Sequence, residues 1–140
     1  MGNEYDMLKL DNQICFPLYV ASKEIIRKYK PFLDEINLTY TQYIAMMAMW
    51  EHKELSVKEL GELLYLDSGT LTPLLKTLEK KGYIDRKRST QDERIMQVSL
   101  TDEGEKLKKK ALSVPTKVAE CVPLSNEDAA ELYRLLHLIM

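Results

Sequence analysis

The sequence predicts a mostly helical chain carrying one small β-hairpin. Three observations lead there. Between Ser56 and Lys81 two short amphipathic segments follow each other across a tight break. Between Tyr83 and Leu100 the apolar period drops to two around a polar, basic turn. Elsewhere apolar residues recur at helical spacing, punctuated by prolines.

Taken in order, residues 1 to about 10 read as weakly structured or as a short helical lead-in. Asp11 to Lys30 has helical spacing through Ile14, Leu18, Ile25 and Ile26, and Pro31 is expected to end it. A short turn can follow through Phe32 and Leu33. Tyr40 to Trp50 is almost entirely apolar, which reads as a central buried helix stopped by His52 and Lys53. Ser56 with Glu59 three residues later is a capping box, and Val57, Leu60, Leu63 and Leu64 give that helix an apolar face. Asp67 and Ser68 suit the cap of the next helix, whose buried face is Leu71, Leu74, Leu75 and Leu78. Gly82 stops it. Tyr83 to Arg88 and Ile95 to Leu100 are the strands of the hairpin. Thr101 caps a long charged helix, interrupted at Pro115. After Pro123, Ser125 caps a last helix bearing Ala129, Leu132, Leu135, Leu136 and Ile139. That stripe is wide for a terminal helix, so the N- and C-terminal helices are expected to form a two-fold dimer interface.

Helix, turn, helix and basic hairpin in this order make a winged helix-turn-helix, which holds one helix in a DNA major groove. The helix Ser68 to Lys81 is the one expected to enter it. Ser68, Thr70, Thr72 and Lys76 lie off its apolar face, where hydroxyls and an ammonium reach phosphates and base edges. From Lys76 to Arg94 there are seven basic and four acidic residues, a local excess of three positive charges in a chain of net charge −2. A basic patch on an acidic protein is the footprint of phosphate contact. Arg86, Arg88 and Arg94 with Asp92 are the wing candidates. A merely solvated hairpin is the bland alternative.

Length and composition bound the rest. With 140 residues and 45% hydrophobic content the chain is expected to form one domain. No apolar run approaches the roughly 20 residues of a membrane span, and no hydrophobic leader is visible, so a cytoplasmic location is expected. His52 and His137 stand far from each other and from the cysteines, so no metal site is expected. No nucleotide-binding or metalloprotease motif occurs, no cofactor is expected, and conventional enzymes are disfavoured. Cys15 and Cys121 are too few for a disulfide framework, and both read most simply as small buried hydrophobes.

Cys15 has a second reading. Tyr19 lies one turn away, and Tyr29 is fourteen residues on, pointing the same way but roughly 21 Å along a straight helix. A two-fold related helix could bring one chain's Tyr29 to the other's Cys15. Hydroxyls donating to the sulfur would favour the thiolate, the species that peroxides oxidise. An ordinary helix that happens to carry tyrosines stays open beside it.

The segments LDNQICFPLY, YKPFLDEINLTYTQY, WEHKELSVKELGELLYLDSGTLTPLLKTLEKKGYIDRKRSTQDER and SLTDEGEKL resemble the MarR family of bacterial transcriptional regulators, in particular its organic-hydroperoxide-sensing OhrR branch. The resemblance spans residues 8 to about 115. It implies a dimer that represses its target genes at a pseudo-palindromic operator until oxidised. It also implies that Cys15 senses an organic hydroperoxide and that Tyr29 and Tyr40 of the partner subunit bond to it. Arg94, oriented by Asp92, would be the wing arginine that reaches the minor groove. Two-cysteine members carry a resolving cysteine about where Cys121 stands; resolution by Cys121 and by a small cellular thiol both stay open. Thr41 replaces a frequent proline, and Pro17 lies close to Cys15. Sister staphylococcal global regulators share TYT-x-Y and LDSGTLTPLL and also use one redox cysteine. The expected organisation is a single domain, 1–140, with dimerisation helices at 8–36 and 102–140 and a winged helix-turn-helix at 41–101. The rival functions are a repressor gated by a phenolic ligand and a thiol peroxidase.

Overall fold

A computed structural model of the chain describes residues 2–140; Met1 lies outside them. Two 3-10 turns, Glu4–Leu8 and Leu10–Asn12, lead into α1 (Cys15–Asp34). The order then runs α2 (Tyr40–His52), β1 (Glu54–Ser56), α3 (Val57–Leu64), α4 (Ser68–Lys80), β2 (Ile84–Arg88), β3 (Met96–Leu100), α5 (Asp102–Ala111), α6 (Val114–Cys121) and α7 (Asn126–His137). The winged helix-turn-helix is therefore present as α3, α4 and the β2–β3 hairpin.

The caps read from the sequence form. The Ser56 hydroxyl accepts from the Glu59 N–H at 3.0 Å, and the Glu59 carboxylate accepts from the Ser56 N–H. Asp67 Oδ1 accepts from the Thr70 N–H at 2.8 Å. Thr101 and Ser125 cap α5 and α7 in the same way. A further capping box, Thr39 with Gln42, opens α2. Gly61 makes the break between α3 and α4 possible, because a Cβ there would stand 2.9 Å from the Leu66 carbonyl oxygen. Gly82 turns the chain out of α4 at φ +87°.

Four helical expectations are corrected. The first helix begins at Cys15, four residues later than Asp11, which places Pro17 in the first turn where its missing N–H has no intrahelical partner to lose. Pro31 does not end that helix, which runs to Asp34. A proline one turn from the end forfeits a single hydrogen bond, and Leu33 beyond it is anchored in the core at 2% exposure. The long helix after the wing is two helices, broken at Leu112 and Ser113, with Pro115 in the first turn of the second. The nearly all-apolar α2 leaves Met47 exposed.

The sheet has three strands in the order β1-β3-β2, all antiparallel. β1 pairs Leu55 with Val98, and β2 pairs Ile84 with Leu100 and Arg88 with Met96. Tyr43, Met46, Met49 and Trp50 of α2 meet Leu60, the four leucines of α4, Ile84, Val98 and Leu107 in one core. Each such leucine or isoleucine contributes about 1.5–3 kcal/mol by leaving water. The Trp50 indole donates to the Gly104 carbonyl at 2.9 Å, and Lys53 pairs with Glu105 at 2.6 Å, which tie α2 to α5.

The two ends of the chain are less well covered. Tyr5, Met7, Leu8, Leu10, Ile14, Phe16 and Leu18 are exposed, and so are Tyr133, Leu138, Ile139 and Met140. α7 buries no residue. No helix among the described residues is long and apolar enough to cross a membrane.

Candidate functional site

Two regions carry chemistry. The first is the outer face of α4 with the wing. Burial of Leu71, Leu74, Leu75 and Leu78 fixes which side of α4 faces outward. Ser68, Thr70 and Lys76 are exposed on it and Thr72 is half-buried. Pro73 is accommodated inside α4, which continues to Lys80.

At the wing tip Arg94 has a side chain 90% exposed. Asp92 grips it with both carboxylate oxygens: Arg94 Nε donates to Oδ1 and Nη2 to Oδ2, each at 3.1 Å. The Arg94 N–H adds a third bond to Oδ1 at 3.0 Å. These bonds, the side-chain ones first, hold the Asp92 carboxyl below the ordinary aspartate range and raise Arg94 further. The result is a permanently charged fork on a stiff arm. Arg88 is exposed and donates to the Glu93 carbonyl at 3.3 Å, which closes the turn.

Arg86 stands apart from the other wing candidates. Its side chain is 17% exposed and its fork is taken by Glu79 of α4, with Nη2 to Oε1 at 3.1 Å and the Arg86 N–H to Oε2 at 3.1 Å. It braces the wing against α4, with Nη2 engaged by Glu79. Lys81, counted in the basic patch, also turns inward. Its ammonium donates to the Asn37 carbonyl at 2.6 Å and to Gln42 Oε1 at 3.2 Å, and burial lowers its pKa.

The second region is a tyrosine cluster where α1 meets α2. The Tyr29 and Tyr40 rings lie edge to face at 5.0 Å. Tyr43 joins them at 5.7 Å from Tyr29 and itself leans on Trp50. Burial raises all three hydroxyls above the ordinary tyrosine value, with Tyr40 adding to the shift at Tyr29. They therefore stay protonated and available as donors. Tyr43 was missed in the sequence, although its i+3 spacing from Tyr40 puts the two on one face of α2.

Cys15 and Cys121 are both free and exposed in the single chain, so its own fold does not bury them as small hydrophobes. Cys15 is the first residue of α1, flanked by Ile14, 83% exposed, and Phe16. Tyr29 belongs to the same helix, fourteen residues on, so the chain does not bring its own Tyr29 to its own Cys15. Tyr19 is exposed, with the Lys23 ammonium 5.0 Å from its ring centre. Cys121 ends α6, which packs on α1.

Comparison with known proteins fits this architecture. A family model for the transcriptional regulator SarA/Rot matches residues 27–111. The organic hydroperoxide resistance transcriptional regulator of Bacillus subtilis is 49% identical over 140 residues, covering 100% of this chain and 95% of that protein. The HTH-type transcriptional regulator SarZ of Staphylococcus aureus is 48% identical over 123 residues, covering 88% and 83%. The solved structure of reduced AbfR bound to DNA, a Staphylococcus epidermidis protein, superposes with a TM-score of 0.82 at 29% identity, over 98% of this chain and 94% of that one. The fold, the matched core and these full-length identities place the chain in the MarR-type family of winged-helix transcriptional regulators, on the branch that holds the organic hydroperoxide resistance regulator.

Proposed function

We propose that the protein is a dimeric repressor that binds a pseudo-palindromic operator and releases it when an organic hydroperoxide oxidises Cys15. One observation carries the redox half. Cys15 stands exposed in an apolar strip that its own chain leaves uncovered, while two protonated tyrosine donors, Tyr29 near the far end of the same helix and Tyr40 at the start of α2, sit together away from it. A two-fold related copy would cover the strip and bring each Cys15 to the partner's Tyr29 and Tyr40. The uncovered apolar residues of the lead-in turns and of α7 support such an interface.

The chemistry follows from the thiolate. Its sulfur attacks the outer oxygen of the hydroperoxide and the O–O bond breaks; that oxygen carries its hydrogen to sulfur as the sulfenic acid, and the alkoxide leaves and takes a proton from solvent as the alcohol, so sulfur is oxidised and the peroxide is reduced. Condensation with a second thiol releases water and forms a disulfide. The DNA half rests on Ser68, Thr70, Thr72 and Lys76 of α4 and on Arg88, Arg94 and Asp92 of the wing. Arg86 supports the wing from behind.

The test is operator binding with and without oxidant. An operator is selected from a randomised duplex pool with reduced protein, and its affinity is measured before and after one equivalent of cumene hydroperoxide. Loss of binding restored by dithiothreitol supports the reading. No enrichment of any duplex refutes the DNA half, and oxidant-insensitive binding refutes the redox half. Steady peroxide turnover with a reductant would favour a thiol peroxidase.

A further inference from the structure

Three non-glycine residues among those described have positive φ: Asn37, Lys53 and Tyr65. Asn37 is of a type that tolerates the left-handed region. Lys53 is tied down by its ion pair with Glu105. Tyr65 has neither excuse. It caps α3 at φ 56° and ψ 39°, where a large side chain crowds its own backbone, and the residue is 72% exposed. Its hydroxyl makes no hydrogen bond among the described residues. Glycine is the usual occupant of a helix C-cap in this conformation. A strained backbone that holds an unpacked aromatic outward is a signature of a functional side chain.

The surroundings say what that function is. Tyr65 lies three residues before Ser68, the first residue of α4, and shares a groove between α3 and α4 with Ser68 and Lys58. Asp67, also on the groove, has its carboxylate turned onto the Thr70 N–H. Glu62 is the other acid there. When the N-terminal end of α4 enters a major groove, the residues just before it stand level with the sugar-phosphate rim.

We infer that Tyr65 is a DNA-backbone contact, its hydroxyl donating to an operator phosphate beside the entry point of α4. The inference rests on the DNA-binding half of the proposed function. It assigns to Tyr65 a positioning role: the contact sets how α4 is seated without reading a base.

The experiment uses the full-length reduced protein and the operator selected by wild type. Tyr65→Gly and Tyr65→Asn remove the side chain and suit the left-handed backbone, so both should melt at or above the wild-type temperature. Operator affinity should nevertheless fall about 5- to 20-fold in both, and Tyr65→Phe should lose most of the same amount. Because the lost group is uncharged, the slope of log affinity against log salt should stay at the wild-type value, whereas an α4 displaced from the groove would lose cation contacts and flatten it. Affinity within twofold of wild type for Tyr65→Gly or for Tyr65→Phe overturns the inference. If wild type and an Arg94→Ala control differ while the Tyr65 variants match wild type, this inference fails alone. If wild type selects no operator, the proposed function fails with it.

Discussion

Replacing Arg94 with alanine tests the wing where its geometry is most explicit. The side chain is 90% exposed and its hydrogen bonds among the described residues go to Asp92, so the substitution should leave the fold and its melting temperature unchanged. What it removes is one fixed cation per wing. Each phosphate neutralised contributes about 0.9 to the slope of log affinity against log salt, so a dimer with two wings should lose about 1.8. Between 50 and 200 mM salt, wild type should therefore weaken about 12-fold more than the variant. Fluorescence anisotropy of the labelled operator across that range reads the difference directly. A slope unchanged within about 0.5 would remove Arg94 from the interface.

Asp92→Asn sharpens the same argument. It deletes a negative charge near DNA, which by net charge alone should tighten binding. If the carboxylate holds the Arg94 fork in place, binding should weaken instead. The pH dependence has a definite sign. The Asp92 pKa is lowered on folding, chiefly by the Arg94 side chain, so its contribution is present above the ordinary aspartate range and lost as pH falls through the lowered value. The wing's share of affinity should thus be flat around neutrality.

Four further outcomes concern the redox region. Cys15→Ser should bind the operator like wild type and no longer release it with cumene hydroperoxide; release by the serine variant would exclude Cys15 as sensor. Tyr40→Phe removes one donor to the sulfur and should slow Cys15 oxidation in stopped flow while leaving reduced affinity within about threefold, and an unchanged rate would exclude that hydroxyl. Because burial raises the Tyr29, Tyr40 and Tyr43 pKa values, the folded state should hold these protons to higher pH than the unfolded chain. Stability from them is present below tyrosine's unfolded value and lost as pH rises through the folded one, which absorbance titration at alkaline pH should show. Non-reducing gels after peroxide should show a linked dimer if Cys121 resolves Cys15, and Cys121→Ser should abolish it.

Most of the helix-turn-helix was legible because its signals are local. Ser56, Asp67, Thr101 and Ser125 cap within three residues, and the leucines of α4 repeat at helical spacing. β1 was not, since three residues cannot display a period of two, and Leu55 and Ser56 become a strand only because β3 lies beside them. Pro31 misled for a related reason: a proline's local cost is visible in sequence, and the tertiary anchor at Leu33 that outweighs it is not. The basic patch was read by counting. Counting cannot see that Arg86 is spent on Glu79 and Lys81 on Asn37 and Gln42, because both partners are set by how α4 meets its neighbours. The tyrosines were found by spacing and resemblance, but Tyr43 entered only when its ring met Tyr29.

The inward turn of Lys81 connects the two candidate regions. Gln42 sits in the first turn of α2, two residues from Tyr40 and next to Tyr43. Its side-chain oxygen accepts from the Thr39 N–H in the capping box and from Lys81 at the C-terminal end of α4. The same ammonium holds the Asn37 carbonyl just before that turn. The turn that carries Tyr40 is thus bonded to the end of α4, and the other end of α4 carries Ser68 and Thr70. A helix thirteen residues long spans about 20 Å, so a tilt imposed at Lys81 reaches Ser68 as a lateral displacement rather than being absorbed locally. Packed leucines along the buried face of α4 resist bending, which makes rigid-body movement the cheaper response. An added oxygen or a disulfide partner at the tyrosine cluster would load this turn first. If the proposed function holds, Tyr40→Phe should slow oxidation of the sulfur, and Gln42→Ala should leave that rate unchanged while reducing operator release after oxidation; equal release by the Gln42 variant would refute the link.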